Sequence, residues 1–237
     1  MSLPKVATVT HELTLPSTGK KIKYRPFLVK EEKVLIMAQE SGSDSEMNRA
    51  MREVIEACVL TKGFDIDSLA TFDLEYLFLN VRGRSVGEEV EVIITCPDDN
   101  ETKVNHTIYL DEVKVVKDPD HTRDIKVSDD LTLRMKYPTL DQVLEAGSIQ
   151  NVTVEESFDL IVSCIDMIFS KDESWNAADS THEELLAWLD ELEPRTFRDI
   201  EKFFTTMPKL SHTITVTNPN TGVESEVVLE GMGSFFA

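Results

Sequence analysis

An α+β fold, mainly helical in its core and carrying three antiparallel hairpins, is what this sequence predicts. Strand-like runs neighbour strand-like runs across short turns near residues 6–24, 90–110 and 213–229. Between them the apolar residues recur at threes and fours, the spacing of helix faces. No regular strand–helix–strand alternation occurs, which argues against a parallel sheet.

The first hairpin rests on alternation from residue 6 to residue 15, a turn at Pro16-Ser17-Thr18-Gly19, and a return through Lys21-Ile22-Lys23-Tyr24. From Val29 the pattern turns helical, with Val34, Leu35 and Ala38 on one stripe that stops at Ser41-Gly42. Ser43 and Glu46 then form a capping box ahead of Met47, Ala50, Met51, Val54, Ile55 and Cys58, in a helix predicted to reach toward Gly63. A third helix carries Leu74, Leu77, Phe78 and Val81 on one face, closing near Gly83 with Arg82 and Arg84 at its negative end. Val90, Val92 and Ile94 alternate into a turn at Cys96-Pro97-Asp98-Asp99-Asn100, and Val104, His106, Ile108 and Leu110 return as the second hairpin.

A Lys-Asp-Pro-Asp linker at 117–120 divides the chain into a first part, 1–117, and a second, 118–237. The second part opens with two short strand candidates, Ile125–Val127 and Leu131–Tyr137. Thr139 caps a short helix that Gly147 stops. Thr153 and Glu156 box a longer helix, apolar nearly all the way round from Phe158 to Phe169, which belongs in the middle of the core. Thr181 and Glu184 repeat the box before Leu185, Trp188 and Leu189, and Pro194 opens a last helix through Phe197, Ile200 and Phe203 to Pro208. The third hairpin, Thr213–Thr217 and Val223–Leu229, turns at Asn218-Pro219-Asn220-Thr221-Gly222.

Composition narrows the function. With 44 acidic residues against 24 Lys and Arg, the formal charge is -20, which repels phosphate backbones and anionic membranes alike. Nucleic acid and membrane are therefore not the expected partners. The opening residues lack the long uncharged stretch of a signal peptide, so the chain is expected to stay in the cell that makes it. Cys58, Cys96 and Cys164 cannot pair completely, and no disulfide framework is implied.

No arranged chemistry is legible. The nine glycines form neither a Walker loop nor a GxGxxG turn, and His182-Glu183-Glu184 lacks the second His of a zinc protease. Adjacent acids such as Asp129-Asp130, Glu155-Glu156 and Glu183-Glu184 diverge on either kind of element, so they read as solvated faces or helix starts. No catalytic residue and no cofactor is expected.

Ile94-Thr95-Cys96-Pro97-Asp98-Asp99 and Val216-Thr217-Asn218-Pro219-Asn220-Thr221 share one pattern, each after a helix, which suggests a weak internal duplication. A Cys-Pro-X-Cys knuckle at such a turn is half of a zinc ribbon, but here the ligand positions hold Cys96, Asp99, Asn218 and Thr221. One thiolate does not make a zinc site, so the pair reads as a degenerate ribbon held by packing, without metal. The chain also ends Gly231-Met232-Gly233-Ser234-Phe235-Phe236-Ala237, placing large apolar groups where termini usually fray. Met232, Phe235 and Phe236 need a cover, either the protein's own core or a partner's groove, and they are the candidate partner-binding residues.

The ordered set Lys23-Tyr24-Arg25-Pro26-Phe27 with Lys30-Glu31-Glu32-Lys33, Asp73-Leu74-Glu75-Tyr76-Leu77-Phe78-Leu79, Arg84-Ser85-Val86-Gly87-Glu88, Met135-Lys136-Tyr137-Pro138 and Phe203-Phe204-Thr205-Thr206-Met207-Pro208-Lys209-Leu210 resembles the baseplate hub assembly proteins of T-even-type contractile phages. Leu229-Glu230-Gly231-Met232 ahead of Phe235-Phe236 extends the resemblance to the end of the chain. None of these is a catalytic signature; they are packing and turn motifs. The resemblance implies a non-enzymatic protein that binds other baseplate hub proteins in the host cytoplasm during assembly, as an assembly chaperone or as a baseplate constituent. It also implies relatives with Cys pairs at the hairpin turns, from which Asp99, Asn218 and Thr221 depart.

Overall fold

A computed structural model describes residues 7–145 and 153–236, and the chain divides into two compact units. Unit 1 comprises residues 1–66, 72–116 and 209–237; unit 2 comprises 67–71 and 117–208. The chain passes between the units at 66/67, 71/72, 116/117 and 208/209. A cut at 117/118 leaves residues 67–71 in the first part, where the chain gives them to unit 2, and puts the terminal hairpin in the second part, whereas the chain returns it to unit 1. The reason is apolar pairing with an earlier hairpin, described below.

Unit 1 opens with the predicted hairpin, β1 (His11–Thr14) and β2 (Lys21–Tyr24), which buries Leu13, Ile22 and Tyr24 on one face. α1 (Val29–Ser41) ends where Gly42 takes φ +65° and donates back to Gln39. α2 (Asp44–Cys58) is capped by the Ser43 hydroxyl and buries Ala50, Met51, Val54, Ile55 and Cys58, the face its spacing predicts. It stops at Cys58, short of Gly63, because Val59 bridges Tyr24 and the Leu60 amide donates to the Lys23 carbonyl (2.7 Å). α3 (Thr71–Val86) runs past Gly83 and stops where Gly87 adopts φ +117°.

β3 (Glu89–Thr95) and β4 (Lys103–Tyr109) form the second hairpin, with Val90, Val92 and Ile94 facing inward. β5 (Lys114–Val116), unread in the sequence, pairs with the start of β10 (Lys209–Thr217), and β10 pairs along its length with β11 (Glu224–Glu230). The inward residues of both hairpins, Val92, Ile94 and Ile108 with Ile214, Val216 and Leu229, make one apolar cluster. Burying such side chains contributes about 1.5–3 kcal/mol each, enough to bring the chain's end back to its first half.

Unit 2 is a four-stranded antiparallel sheet with helices. Its order is β6 (Asp124–Lys126), β7 (Thr132–Met135), β8 (Ile165–Phe169) and β9 (Ser174–Asn176). α4 (Leu140–Glu145) follows the Thr139 cap, while the Gly147 stop lies outside the described residues. α5 (Val154–Ser163) corrects the sequence reading. The helix expected to run to Phe169 closes at Cys164, and Ile165–Phe169 becomes an inner strand with Leu133 opposite Ile168. A short apolar run satisfies helical and strand periods equally, and here pairing on both edges decides. The segment still lies in the core, with Val162, Cys164 and Ile165 buried beside Ile200 and Phe203.

A 3-10 turn (Ala177–Asp179) leads to α6 (His182–Asp190), boxed by Thr181 and Glu184, and then to α7 (Pro194–Thr206) with Pro194 in its first turn. The chain closes with the short α8 (Gly233–Phe236) in unit 1, against β3 and β11. No described helix is long and apolar enough to cross a membrane.

Candidate functional site

The two matching turns meet. In each, the fifth residue donates its amide to the carbonyl of the first: Asn100 to Cys96 at 2.9 Å and Gly222 to Asn218 at 2.8 Å. That fifth residue is left-handed in both, with φ +55° at Asn100 and +74° at Gly222. Left-handed backbone disfavours most side chains, so Asn and Gly at equivalent positions mark one knuckle built twice.

Side chains then tie one knuckle to the other. The Asn218 Nδ2 group donates to Asp98 Oδ1 and Oδ2 (3.0 Å each) and to Asp99 Oδ2 (2.9 Å). Its own Oδ1 accepts the Asn220 amide (2.8 Å), which fixes the amide orientation and directs the NH2 at the carboxylates. The Thr221 hydroxyl donates to Asp98 Oδ2 (2.6 Å), and Asn220 Nδ2 donates to Thr102 Oγ1 (2.9 Å). Thr102 in turn donates to Asp99 Oδ2 (2.5 Å). Hydrogen bonds from Thr221 and Asn218 hold the Asp98 carboxyl below its usual range; those from Thr102, Glu101 and Asn218 do the same for Asp99.

This donor set does not fit zinc. Of the positions a ribbon would use, Cys96 is the one thiol, Thr221 offers a hydroxyl, and Asn218 turns donor hydrogens rather than a lone pair toward Asp99. Burial pushes the Cys96 thiol upward, as do the Asp98 and Asp99 carboxylates, which disfavours the thiolate that a metal or a nucleophilic reaction needs. The bonds among Asp98, Asp99, Asn218 and Thr221 tie the two turns together as a clasp. Asp98, Thr102 and Asn220 were not singled out in the sequence; the repeated left-handed fifth position was the available signal.

The terminal residues separate. Phe235 is fully buried in the cluster formed by the two hairpins and Leu79 of α3. Its cover is the chain itself, one of the two covers left open above. Met232 is half-buried, with its amide on Glu75 Oε1 (3.3 Å), and the Gly231 amide donates to Leu210 (2.9 Å). The Phe236 side chain lies outside the described residues.

The other residues read from the sequence stand apart from one another. His182 lies half-exposed at the start of α6, with Nε2 2.9 Å from Asp159 Oδ1. Burial pushes the Cys58 and Cys164 thiols up to about 11. Glu156 and Glu184 serve as the acids of their capping boxes, and Asp129 and Asp130 are exposed. Among the described residues no group of three or more His, Cys, Asp or Glu is placed to hold a metal ion.

A family model described as T4 bacteriophage base plate protein matches residues 7–237, nearly the whole chain. The chain belongs to the T4 bacteriophage base plate protein family. No curated protein and no solved structure matches it. As a base plate protein it works among other base plate proteins, and its matched region includes both knuckles and the buried terminal Phe235.

Proposed function

We propose that this base plate protein binds other hub proteins while the central hub of a contractile tail is assembled, without an enzymatic step of its own. The observation that carries the reading is the family match across residues 7–237, joined to the ordered packing motifs that resemble hub assembly proteins. Two features of the chain support it: the Asp98 and Asp99 carboxylates at the knuckles are taken up in internal hydrogen bonds, and burial raises the Cys58 and Cys164 thiols. An assembly factor acts by covering apolar or strand-edge surface on a subunit until the next subunit replaces it, which lowers off-pathway association.

In this reading Phe235 serves the chain's own stability, and Met232 is the terminal residue that keeps surface for a partner. The family description also favours a second reading, a permanent structural subunit. Quantitative mass spectrometry of purified virions separates them. Absence from virions together with presence in assembly intermediates supports the assembly factor; a stoichiometric presence in virions makes the chain a structural subunit.

A further inference from the structure

We infer that His121 is an acid-released latch: as a neutral ring protonated on Nδ1 it pins residues 117–122 to the rest of unit 2, and a second proton on the ring sets that segment free. This goes beyond the hub reading and does not depend on it. The segment carries the chain into unit 2, and its Lys117, Asp118, Pro119, Asp120 and Thr122 are exposed while His121 is buried. Asp118 builds the turn that presents the ring, taking the Asp120 amide on Oδ1 (2.8 Å) and the His121 amide on its carbonyl (3.1 Å). Among the described residues, the hydrogen bonds of 117–122 outside the ring stay within the segment or reach its neighbour Asp124. The hold on α7 and on Tyr137 therefore passes through a single imidazole.

Neighbouring groups fix the tautomer. Nδ1 lies 3.0 Å from Thr206 Oγ1, and Nε2 lies 3.0 Å from the Tyr137 hydroxyl. Thr206 has one hydroxyl hydrogen and gives it to the Lys202 carbonyl (2.6 Å), so toward His121 it accepts, and Nδ1 must carry the proton. The Tyr137 hydroxyl then donates to the Nε2 lone pair. The ring is also stacked on Tyr137, with centroids 5.6 Å apart, and tilted against Phe203 at 5.3 Å.

A proton on Nε2 removes the lone pair that Tyr137 uses and places a charge among these rings. The charged groups around it are Lys117, Asp118 and Arg123 on its own stretch of chain, with Asp124, Arg134 and Asp166 along the same cleft. Asp124 is taken up by Arg134, and Asp166 by Arg123, which also lies over the Tyr137 ring at 5.5 Å. From α7 the ring meets the Thr206 hydroxyl and Phe203, neither of which balances a positive charge. Burial first, then Lys117 and Arg123, hold the pKa of His121 below its ordinary value against the opposing pull of Asp118. Released into water, the ring regains an ordinary pKa of about 6.5, so acid favours the released form. Each pH unit below about 6.5 shifts the balance toward release by up to about tenfold, down to the pKa of the held ring.

Nitrogen-15 shifts of the His121 ring in the full chain test this, together with exchange protection of its amide, corrected for intrinsic rate, between about pH 7.5 and about pH 5. The expected result is a protonated Nδ1 and a bare Nε2 at neutral pH, with protection falling about tenfold or more across the range. Thr206→Val takes away the acceptor, and the ring should change to the tautomer protonated on Nε2, donating to Tyr137. Tyr137→Phe should keep the proton on Nδ1 and move release toward neutral pH. His121→Phe keeps an aromatic ring in the stack, and protection of the amide at position 121 should then be independent of pH. A ring protonated on Nε2 at neutral pH in the unaltered chain, a tautomer unmoved by Thr206→Val, or protection that is constant with pH overturns the proposal.

Discussion

Phe235 and Glu31 show how much a single buried side chain decides in this chain. Phe235 fills the space between the two hairpins and α3, so Phe235→Ala should lose about 3–5 kcal/mol of stability, read from denaturant unfolding of the monomer. Little change would mean that the terminus is not part of the core. Glu31 is buried against Arg25, with Nη2 to Oε1 at 2.8 Å, and its other oxygen accepts the Leu28 amide at the start of α1. Burial alone would raise its carboxyl, but the hydrogen bonds from Arg25, Leu28 and Lys30 outweigh it and hold the group at about 2. A depressed acid stabilises the fold above its unfolded value and loses that contribution as pH falls through the folded one. Stability should therefore decline from about pH 4.5 toward pH 2. In Glu31→Gln that part of the acid limb flattens, and about 3 kcal/mol is already missing at neutral pH because Arg25 is left buried without its charge partner. Urea midpoints taken across that pH range would show it.

The knuckles are best understood as elements rather than as a list of bonds. Their likeness was legible, because Cys96-Pro97 and Asn218-Pro219 lie at the same point of two strand–turn–strand patterns. Their mutual contact was not, since nothing local says that Asn218 will meet Asp98 across 120 residues. If the two turns retain ribbon geometry, the triple variant Asp99→Cys, Asn218→Cys and Thr221→Cys, added to Cys96, should bind zinc and melt at a higher temperature in its presence. Cobalt absorption would report the thiolate site, and no metal response would mean that the turns are not ribbon knuckles. Most helices were readable for local reasons: the boxes at Thr153/Glu156 and Thr181/Glu184, and the threes and fours of α2, are written in adjacent residues. β5 and β8 were not, because three residues of β5 and the apolar run Ile165–Phe169 become strands through distant partners, Leu210 for one and Leu133 for the other.

At the scale of the whole molecule, the linker at 117–120 was legible as a sequence feature, but the return of the terminal hairpin to unit 1 depended on apolar faces far apart in sequence. The charge of -20 was legible outright and has a consequence for stability: like charges on a folded surface repel, and salt screens them. The melting temperature should rise between low and moderate salt, and a fall would show that specific ion pairs outweigh the general repulsion. The functional claim rests on binding among base plate proteins. Capture of the tagged chain from infected cells, with the co-purifying proteins identified and quantified, tests it most directly. The account predicts stoichiometric recovery of other base plate hub proteins; recovery of the chain alone, with base plates assembling normally in its absence, would contradict it.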